Sequence, residues 1–445
     1  MRGAPDGMDQ RPDQDADQRG HWRGHRHPGS RTALLIGAGV VALVAAATAS
    51  AWPSGSMTAA QPAGVRGTDL GWVRAFAVSQ IGAFVLYAAA LLLIRRHAPG
   101  IRAAVVIAVV IQLLPLCAPL MLSTDAWAYW SAGRIAVIDG GNPYRDPPSA
   151  YPADPSYRYT APVWRPVTTV YGPLFTLASE GVALVADGDA RSAAWLFRAT
   201  AAAAMVALVV LLSRVATRAA FAVAFVGWNP ILAVQAAGSG HNDALMTLFL
   251  VGGIALAMRA RRRPAGWAWA VAVFIKWTAA VVLPLQLIED RARRRTSALP
   301  GLVLGLLVLA AASTLVFGTW WPSALMAIVD SSASAQVASP ALGFLLRSRL
   351  PGVPVTLVAG AIVTVTYVFL LRQAWHGRAR RGLAAGIFAA LGPVLWPWYV
   401  IMPAALSALD DDRVALLLAL GLCAWAGLYY YGDGGYAGRV LDLHW

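Results

Sequence analysis

Long apolar runs recur along this chain, and they constrain its fold more than any other feature of the sequence. Each run is about 20 residues long, the length of helix that crosses a hydrocarbon core of about 30 Å. Of the 445 residues, 58% are hydrophobic, and the mean hydropathy is +0.57. We therefore predict an all-α polytopic membrane protein with about 11 to 13 membrane segments and a large outer loop that carries surface helices.

The net charge of +14 is distributed in a pattern that belongs to a membrane protein. A charge of this size in a soluble chain would suggest nucleic-acid binding, but here the arginines cluster at the ends of the apolar runs, as the positive-inside rule expects. We therefore expect no nucleic-acid partner. Cys117 and Cys423 both lie in apolar segments without a CxxC motif or a nearby histidine, which indicates neither a metal site nor a disulfide framework.

Arginine positions orient the predicted segments. Arg95, Arg96 and Arg102 place the turn after the second span in the cytoplasm, so the chain from Ser123 onward lies outside. The segment 166–186 must then lie on or dip into the outer leaflet, because the next basic turn has to return inside. The predicted parts are a disordered cytoplasmic tail (1–31), three spans (32–122), an extracytoplasmic loop with interfacial helices (123–192), a transmembrane bundle (193–431) and an outer tail (432–445).

Lys276 is the only lysine among 36 basic residues, and it lies inside an apolar stretch. A charge at bilayer depth costs several kcal/mol and usually faces a cavity or a partner. Arginine clusters at 259–263 and 291–295 flank the stretch, and both should stay in the cytoplasm. We therefore predict a re-entrant pair at 265–288, with two arms of about eleven residues, each about 16 Å long, and Lys276 at the tip. The alternative is a lysine retained by accident.

Polar residues are concentrated on the predicted outer side. Asp125 follows the third span closely, which places a carboxylate at the membrane surface; the alternative is an N-cap for the helix predicted at 126–138. His241, Asn242 and Asp243 also face outward, where they could contact a ligand or cap the following helix. The acidic run at 410–412 falls on the cytoplasmic side beside Arg413 and is predicted to be a solvated turn.

Arginines and aromatic residues of the outer side complete the candidate site. Arg134 and Arg165 could bind a phosphate, be solvated, or pair with loop carboxylates such as Asp139 and Asp146. The aromatic residues could form a wall that stacks on a sugar and guides a lipid, although Trp and Tyr also populate any membrane interface. They are Tyr129, Tyr144, Tyr171, Trp396, Trp398 and Tyr399.

Three short motifs resemble one enzyme superfamily. They are Tyr171-Gly172-Pro173-Leu174, Gly240-His241-Asn242-Asp243-Ala244 and Trp396-Pro397-Trp398-Tyr399. Together with Asp125 and Lys276 they resemble the GT-C glycosyltransferases, and more narrowly the actinobacterial polyprenyl-phosphate-mannose-dependent alpha-mannosyltransferases that build lipoglycan mannan. The resemblance spans roughly residues 72–431. It implies a GT-C-like bundle in the plasma membrane, with a cytoplasmic N-terminus and an extracytoplasmic active site.

The resemblance also implies a reaction: mannosyl transfer, with inversion, from a polyprenyl-phosphate-mannose donor to a lipoglycan or other envelope glycan acceptor. Asp125 would be the general base. Preorganised positive charge should stabilise the departing phosphate. The implied phosphate-binding residues are Lys276, His241, Arg134 and Arg165, and the implied sugar- and lipid-binding residues are Tyr129, Asn142, Tyr144, Tyr171, Asn242, Asp243, Trp396, Trp398 and Tyr399.

No cofactor and no essential metal are expected. A metal-dependent member of the superfamily would be expected to offer outward carboxylates spaced as Asp-x-Asp, whereas Thr124 and Ala126 flank Asp125. The stretch 187–189 has that spacing but falls in a predicted outer turn. Three alternatives stay open: a GT-C enzyme for arabinofuranose or another sugar, a lipid or solute transporter with broken helices, and an inactive scaffold of the cell envelope.

Overall fold

The computed structural model describes residues 28–53, 70–326, 354–392 and 395–431. Within these ranges the chain is helical and contains no strand, which confirms the all-α fold class. The predicted outer tail at 432–445 and most of the predicted N-terminal tail lie outside the described residues. The first helix begins at Pro28 rather than at residue 32, and proline is well suited to a first helical turn.

Sixteen α-helices are numbered here in chain order within the described ranges. They are α1 (Pro28–Ser50), α2 (Leu70–Arg96), α3 (Ile101–Leu113), α4 (Asp125–Val137), α5 (Pro173–Ala186), α6 (Ala190–Val215), α7 (Ala219–Gly227), α8 (Pro230–Ala233), α9 (Asp243–Met258), α10 (Arg262–Ile275), α11 (Leu283–Ala292), α12 (Leu299–Phe317), α13 (Val355–Trp375), α14 (Arg381–Leu391), α15 (Ile401–Asp410) and α16 (Arg413–Tyr431). Five of them are long and apolar enough to cross a membrane: α1, α2, α6, α12 and α13. The predicted total of membrane segments stays a prediction.

One further candidate span is broken. Helix α7 and the segment Pro230–Gly238, which is α8 continued by a π-helical turn, are bent by 55° relative to each other. Asn229 starts the second half, because its side-chain oxygen accepts hydrogen bonds from the backbone of Ile231 and Leu232. Pro230 fits the first position of that half, where no backbone N–H is needed. The break lets the chain turn toward Gly240 and His241.

The predicted outer loop contains two packed helices, α4 and α5. Helix α4 begins at Asp125, one residue before the predicted start. Residues 166–172 are irregular, so α5 covers only the second part of the segment predicted at 166–186. Large apolar side chains on α5, including Leu184 and Val185, are exposed. This exposure suits a helix that lies at a membrane surface.

Ion pairs gather the basic turns at one end of the bundle, which we call the basic end. Arg95 and Arg218, from turns far apart in sequence, both pair with Asp411. Arg381 pairs with both Glu289 and Asp410. The acidic run at 410–412 is therefore ion-paired rather than solvated, because the helices that end and begin here bring arginines against it. That the basic end faces the cytoplasm stays a prediction.

The segment around Lys276 forms a hairpin of broken helices. Helix α10 ends at Ile275, Lys276 is extended (φ −154°, ψ 125°), and a 3₁₀ turn at Trp277–Val282 leads into α11. Arg262, at the start of α10, lies 3.1 Å from Asp290, at the end of α11. Both ends of the pair therefore meet at the basic end, and Lys276 occupies the far tip.

Candidate active site

Asp125 lies at the first position of α4, with its side chain 10% exposed. The N-cap is Thr124, and the Asp125 carboxylate makes no capping bond, so the N-cap alternative does not describe it. The Tyr171 hydroxyl donates to Asp125 Oδ2 at 3.3 Å. Burial raises the pKa of Asp125 from 3.8 to about 6, although Lys276 opposes the shift. A carboxylate with this pKa is ionised at neutral pH yet basic enough to take a proton.

His241 faces Asp125 from the loop before α9. Its Nδ1 lies 3.6 Å from Asp125 Oδ2 and 3.5 Å from the Tyr129 hydroxyl. Burial, together with Lys276, holds the pKa of His241 well below its usual range, so the imidazole is neutral. A neutral imidazole can hydrogen-bond a ligand but adds no positive charge. The contact of His241 with the donor phosphate stays a prediction.

Lys276 supplies the positive charge of the site. Its Nζ lies 2.7 Å from Asp243 Oδ2, in the first turn of α9, and 4.7 Å from the centroid of the Tyr399 ring. The Lys276 side chain is 12% exposed and that of Asp243 is 4% exposed. The ammonium group has three N–H donors, of which Asp243 uses one. The others remain for a ligand.

The Tyr171-Gly172-Pro173 motif joins the outer loop to the lysine hairpin. Gly172 N donates to Ile275 O at 3.2 Å, one residue before Lys276. A Cβ at Gly172 would lie 2.1 Å from Phe274 O, so only glycine permits this backbone approach. The motif therefore holds Tyr171, and with it Asp125, beside the segment that carries Lys276.

Several buried polar atoms at this point lack a partner among the described residues. Both amide atoms of Asn242 and Nε2 of His241 are in this state, although Asn242 is only 2% exposed and His241 is fully buried. Asn242 occupies the N-cap position of α9 without a side-chain capping bond. Unpaired buried polar atoms are unusual in folded proteins and indicate a missing partner such as water or a ligand. Hydroxyl groups can both donate to them and accept from them.

Trp396, Trp398 and Tyr399 approach the site from the 3₁₀ turn that precedes α15. Trp398 stacks on His241, with ring centroids 3.6 Å apart and an angle of 17° between the planes. It also stacks on Trp396 at 5.3 Å, and it is only 6% exposed. Trp398 is therefore placed to hold the imidazole. Trp396 and Tyr399 are half-buried, so parts of their rings face outward.

Four further predicted residues are held by contacts of the outer loop. Arg134 Nε donates to both carboxylate oxygens of Asp154, and Arg165 Nε donates to Thr160 O, so each guanidinium group has a partner within the loop. Asn142 donates to Phe317 O at 2.7 Å, and the Tyr144 hydroxyl lies 3.1 Å from Tyr171 O and 2.8 Å from the Thr176 hydroxyl. These contacts dock the loop onto α12 and α5. They give these residues a structural role, and the ligand contacts predicted for all four stay predictions.

Arg198 is a residue near the site that the sequence analysis missed. It is 3% exposed within α6 and donates to Ala237 O and Pro115 O. Its signal was present in the sequence, because an arginine inside an apolar run is as unusual as a lysine there. For a metal, the described residues provide no group of three or more His, Cys, Asp or Glu side chains. Metal independence itself stays a prediction.

A polytopic helical bundle in which a buried carboxylate, a lysine ion pair and aromatic rings meet has the features expected of a membrane glycosyltransferase. The family model described as alpha-(1->6)-mannopyranosyltransferase, N-terminal domain, of the MptA_B family, matches residues 33–288. This match covers more than half of the 445 residues and contains Asp125, the 240–243 loop and Lys276. The chain belongs to this family and is a GT-C mannosyltransferase of the actinobacterial type.

Individual relatives agree with the family match. Alpha-(1->6)-mannopyranosyltransferase A of Mycobacterium tuberculosis is 25% identical over 363 residues, which cover 74% of this chain and 70% of the relative. A probable alpha-(1->6)-mannopyranosyltransferase of Mycolicibacterium smegmatis is 28% identical over 68% of this chain and 58% of its own length. Alpha-(1->6)-mannopyranosyltransferase A of Corynebacterium glutamicum is 28% identical over 169 residues, which cover 37% of this chain and 34% of the relative. No solved structure matches the chain significantly.

Proposed function

We propose that this protein transfers mannose from a polyprenyl-phosphate-mannose donor to a primary hydroxyl of an envelope glycan, forming an alpha-(1->6) linkage on the outer face of the plasma membrane. The observation that carries the proposal is that Asp125 lies close enough to the Lys276–Asp243 ion pair for both charges to affect its pKa. The donor and the outer face follow from the family resemblance and the positive-inside rule. The linkage follows from the names of the relatives.

The proposed step is a direct displacement. Asp125 removes the proton of the acceptor hydroxyl as the oxygen attacks the anomeric carbon from the face opposite the phosphate. The new bond joins the acceptor oxygen to the anomeric carbon, while the bond from that carbon to the phosphate oxygen breaks. The phosphate leaves with the electron pair as polyprenyl phosphate, and the configuration at the anomeric carbon inverts. Asp125 keeps the proton until it is released to water.

Lys276 stabilises the leaving group in this scheme. Charge builds on the phosphate oxygen as the bond to the sugar breaks, and a fixed cation aimed at that oxygen is a large catalytic term. The ion pair with Asp243 and the Tyr399 ring hold the ammonium before substrate arrives, so little reorganisation is needed. Arg134 and Arg165 have no part in this proposal, since loop partners hold both.

Asn242 and His241 would recognise the sugar. Their unpaired amide and imidazole atoms are buried, His241 lies beside Asp125 and Asn242 precedes Asp243, and a polyhydroxylated ligand would satisfy them. Trp396, Tyr171 and Tyr399 are half-buried and provide ring surface beside them. A site with polar groups at its base and aromatic rings around it suits a sugar, which has hydroxyl edges and apolar C–H faces.

Radiolabelled mannose transfer tests the proposal. Membranes that contain the protein are supplied with polyprenyl-phosphate mannose and an oligomannoside or phosphatidylinositol mannoside acceptor, and the product linkage is determined. Transfer that requires both Asp125 and Lys276 supports the proposal. Transfer of arabinofuranose in preference to mannose, or movement of a solute across the membrane without any transfer, would overturn it.

A further inference from the structure

Arg198 is a buried cation without an acidic partner among the described residues. It lies eight residues after the start of α6, about 12 Å along that helix at 1.5 Å per residue, and it is 3% exposed. An arginine inside a membrane-spanning helix is costly unless it is paired with other charges or with backbone carbonyls. Both of its described partners are carbonyl oxygens, those of Ala237 and Pro115.

These two carbonyls belong to the two segments that carry the site's carboxylates. Pro115 lies in the 3₁₀ turn after α3, ten residues before Asp125, and Ala237 lies in the π-helical turn, six residues before Asp243. Direct bonds continue the connection: Met121 N donates to Gly238 O, and the Ser239 hydroxyl donates to Met121 O. Gly240, at φ +80°, packs against Arg198. A Cβ added at Gly240 would lie 3.3 Å from Arg198 Cγ.

We infer that Arg198 is a positioning residue that sets the separation between Asp125 and the Lys276–Asp243 ion pair. Carbonyls near the end of a helical turn lose their usual helical partners, as at Ala237. Pro115 O, in the 3₁₀ turn after α3, accepts from Ala118 N and has a second lone pair, which Arg198 uses. One planar guanidinium donates to a carbonyl of each turn, through Nε to Ala237 O and through a terminal nitrogen to Pro115 O. The rigid plane fixes the spacing of these two donors. Arg198 touches no substrate in this arrangement. It acts through the two chain segments that it joins.

The inference rests on the proposed function, because the separation matters only if Asp125 and Lys276 act on one substrate. A displacement of reacting groups by about 1 Å can lower a rate about 100-fold. Moving Asp125 away from Lys276 would also remove the charge that opposes the rise in its pKa. The groups that face Asp125 are Ser123, Tyr129, Tyr171, His241, Asp243, Lys276 and Tyr399.

Arg198→Met, Arg198→Lys and the control Arg191→Met test this role. Arg191 is an exposed arginine of the same helix. In Arg198→Met we expect kcat to fall about 10- to 100-fold with little change in KM, and the acid limb of the pH profile to move upward. Arg198→Lys, which keeps the charge but lacks the planar fork that fixes the spacing of the two carbonyls, should fall between Arg198→Met and wild type. Arg191→Met should match wild type.

A purely structural role would lower the yield or the melting temperature but leave kcat per folded molecule and the acid limb unchanged, and that result would overturn the inference. If Arg198→Met does not fold, Arg198→Lys decides the question by the same two readouts. The inference can also fail separately from the proposed function. The difference in melting temperature between each enzyme and its Asp125→Asn derivative, followed against pH, reports the pKa of Asp125 without turnover. An unchanged pKa in the Arg198 variants would overturn the inference even if wild type transfers no mannose.

Discussion

Lys276 Nζ lies 2.7 Å from Asp243 Oδ2, so the single lysine of the chain rests against a buried carboxylate. The sequence analysis expected the donor phosphate to be its partner. The structure shows an ion pair with Asp243, and in the proposed function the remaining ammonium donors bind the phosphate. Asp243 would then orient the cation and compensate its charge between turnovers.

Lys276→Met should abolish mannosyl transfer and also destabilise the protein, because it leaves the Asp243 carboxylate buried without its partner. Breaking a buried pair in this way costs about 3 to 5 kcal/mol. The matched double variant Lys276→Met/Asp243→Asn removes both charges and should regain much of the stability without regaining activity. Melting temperature and transfer rate are measured in parallel. An active double variant would exclude Lys276 as the phosphate cation.

Lys276→Arg separates charge from shape at the same position. The guanidinium keeps the positive charge, but it is planar and wider than the ammonium, and the Asp243 contact is made at the tip of a tight hairpin. We expect transfer to be impaired while the melting temperature falls less than in Lys276→Met. A transfer rate equal to wild type would show that any cation at this position is sufficient.

Asp125→Asn should lower kcat about 100- to 10,000-fold, the range typical of a lost general base. The amide retains the size of the side chain and can still accept from Tyr171, so folding should be preserved. Asp187→Asn is the control, since Asp187 is exposed in the turn between α5 and α6 and the substitution is chemically the same. Residual transfer near the wild-type rate in Asp125→Asn would assign the proton transfer to another group.

The pH profile of kcat/KM should have an acid limb near pH 6. The base works only when ionised, and the pKa of Asp125 is raised from 3.8 to about 6, so activity should rise with pH through that value and then level off. The raised pKa has the opposite effect on stability, because the folded state holds this proton more tightly than the unfolded state. Between pH 3.8 and about 6, wild type should lose stability relative to Asp125→Asn as pH rises. An acid limb near pH 4 would show that the carboxyl is not buried in the working enzyme.

Much of the fold could be predicted because membrane segments are determined by local composition. Apolar runs and the arginines at their ends can be recognised from residues that are close in sequence. The position of Lys276 between two basic clusters can be recognised in the same way. The hairpin needed only the reasoning that both clusters lie on one side. Asp125, His241 and Lys276 could be selected as candidate site residues for the same reason, because each is an ionisable group beside or within an apolar segment.

The remaining features depend on contacts between distant parts of the chain. Arg134 was a reasonable phosphate ligand by type, but it pairs with Asp154, and no local pattern distinguishes the two outcomes. Asn142 reaches Phe317, 175 residues away in sequence. Arg198 reaches Pro115 across 83 residues. Such pairings follow from how helices pack, which composition and periodicity do not specify.

Gly172→Ala should disturb the site without changing a polar residue. The added Cβ would lie 2.1 Å from Phe274 O, so the loop must move away from the lysine hairpin. We expect a loss of about 1 to 3 kcal/mol in stability and a lower kcat, because Tyr171 moves with its neighbour. Gly181→Ala in α5 is the control, since a Cβ there meets nothing within 4 Å and alanine favours a helix. Wild-type kcat and stability in Gly172→Ala would show that the backbone contact with Ile275 does not support the site.

Chelators should leave mannosyl transfer unchanged. In metal-dependent sugar transfer a divalent cation neutralises the leaving phosphate and is held by clustered carboxylates. Here Lys276 already provides a fixed positive charge beside Asp243 and close enough to Asp125 to affect its pKa. A divalent cation held by the same carboxylates would have to compete with that ammonium. Transfer is measured in membranes before and after treatment with EDTA, then with added Mg²⁺ or Mn²⁺. Activity that disappears with EDTA and returns with either ion would mean that Lys276 does not act alone on the phosphate.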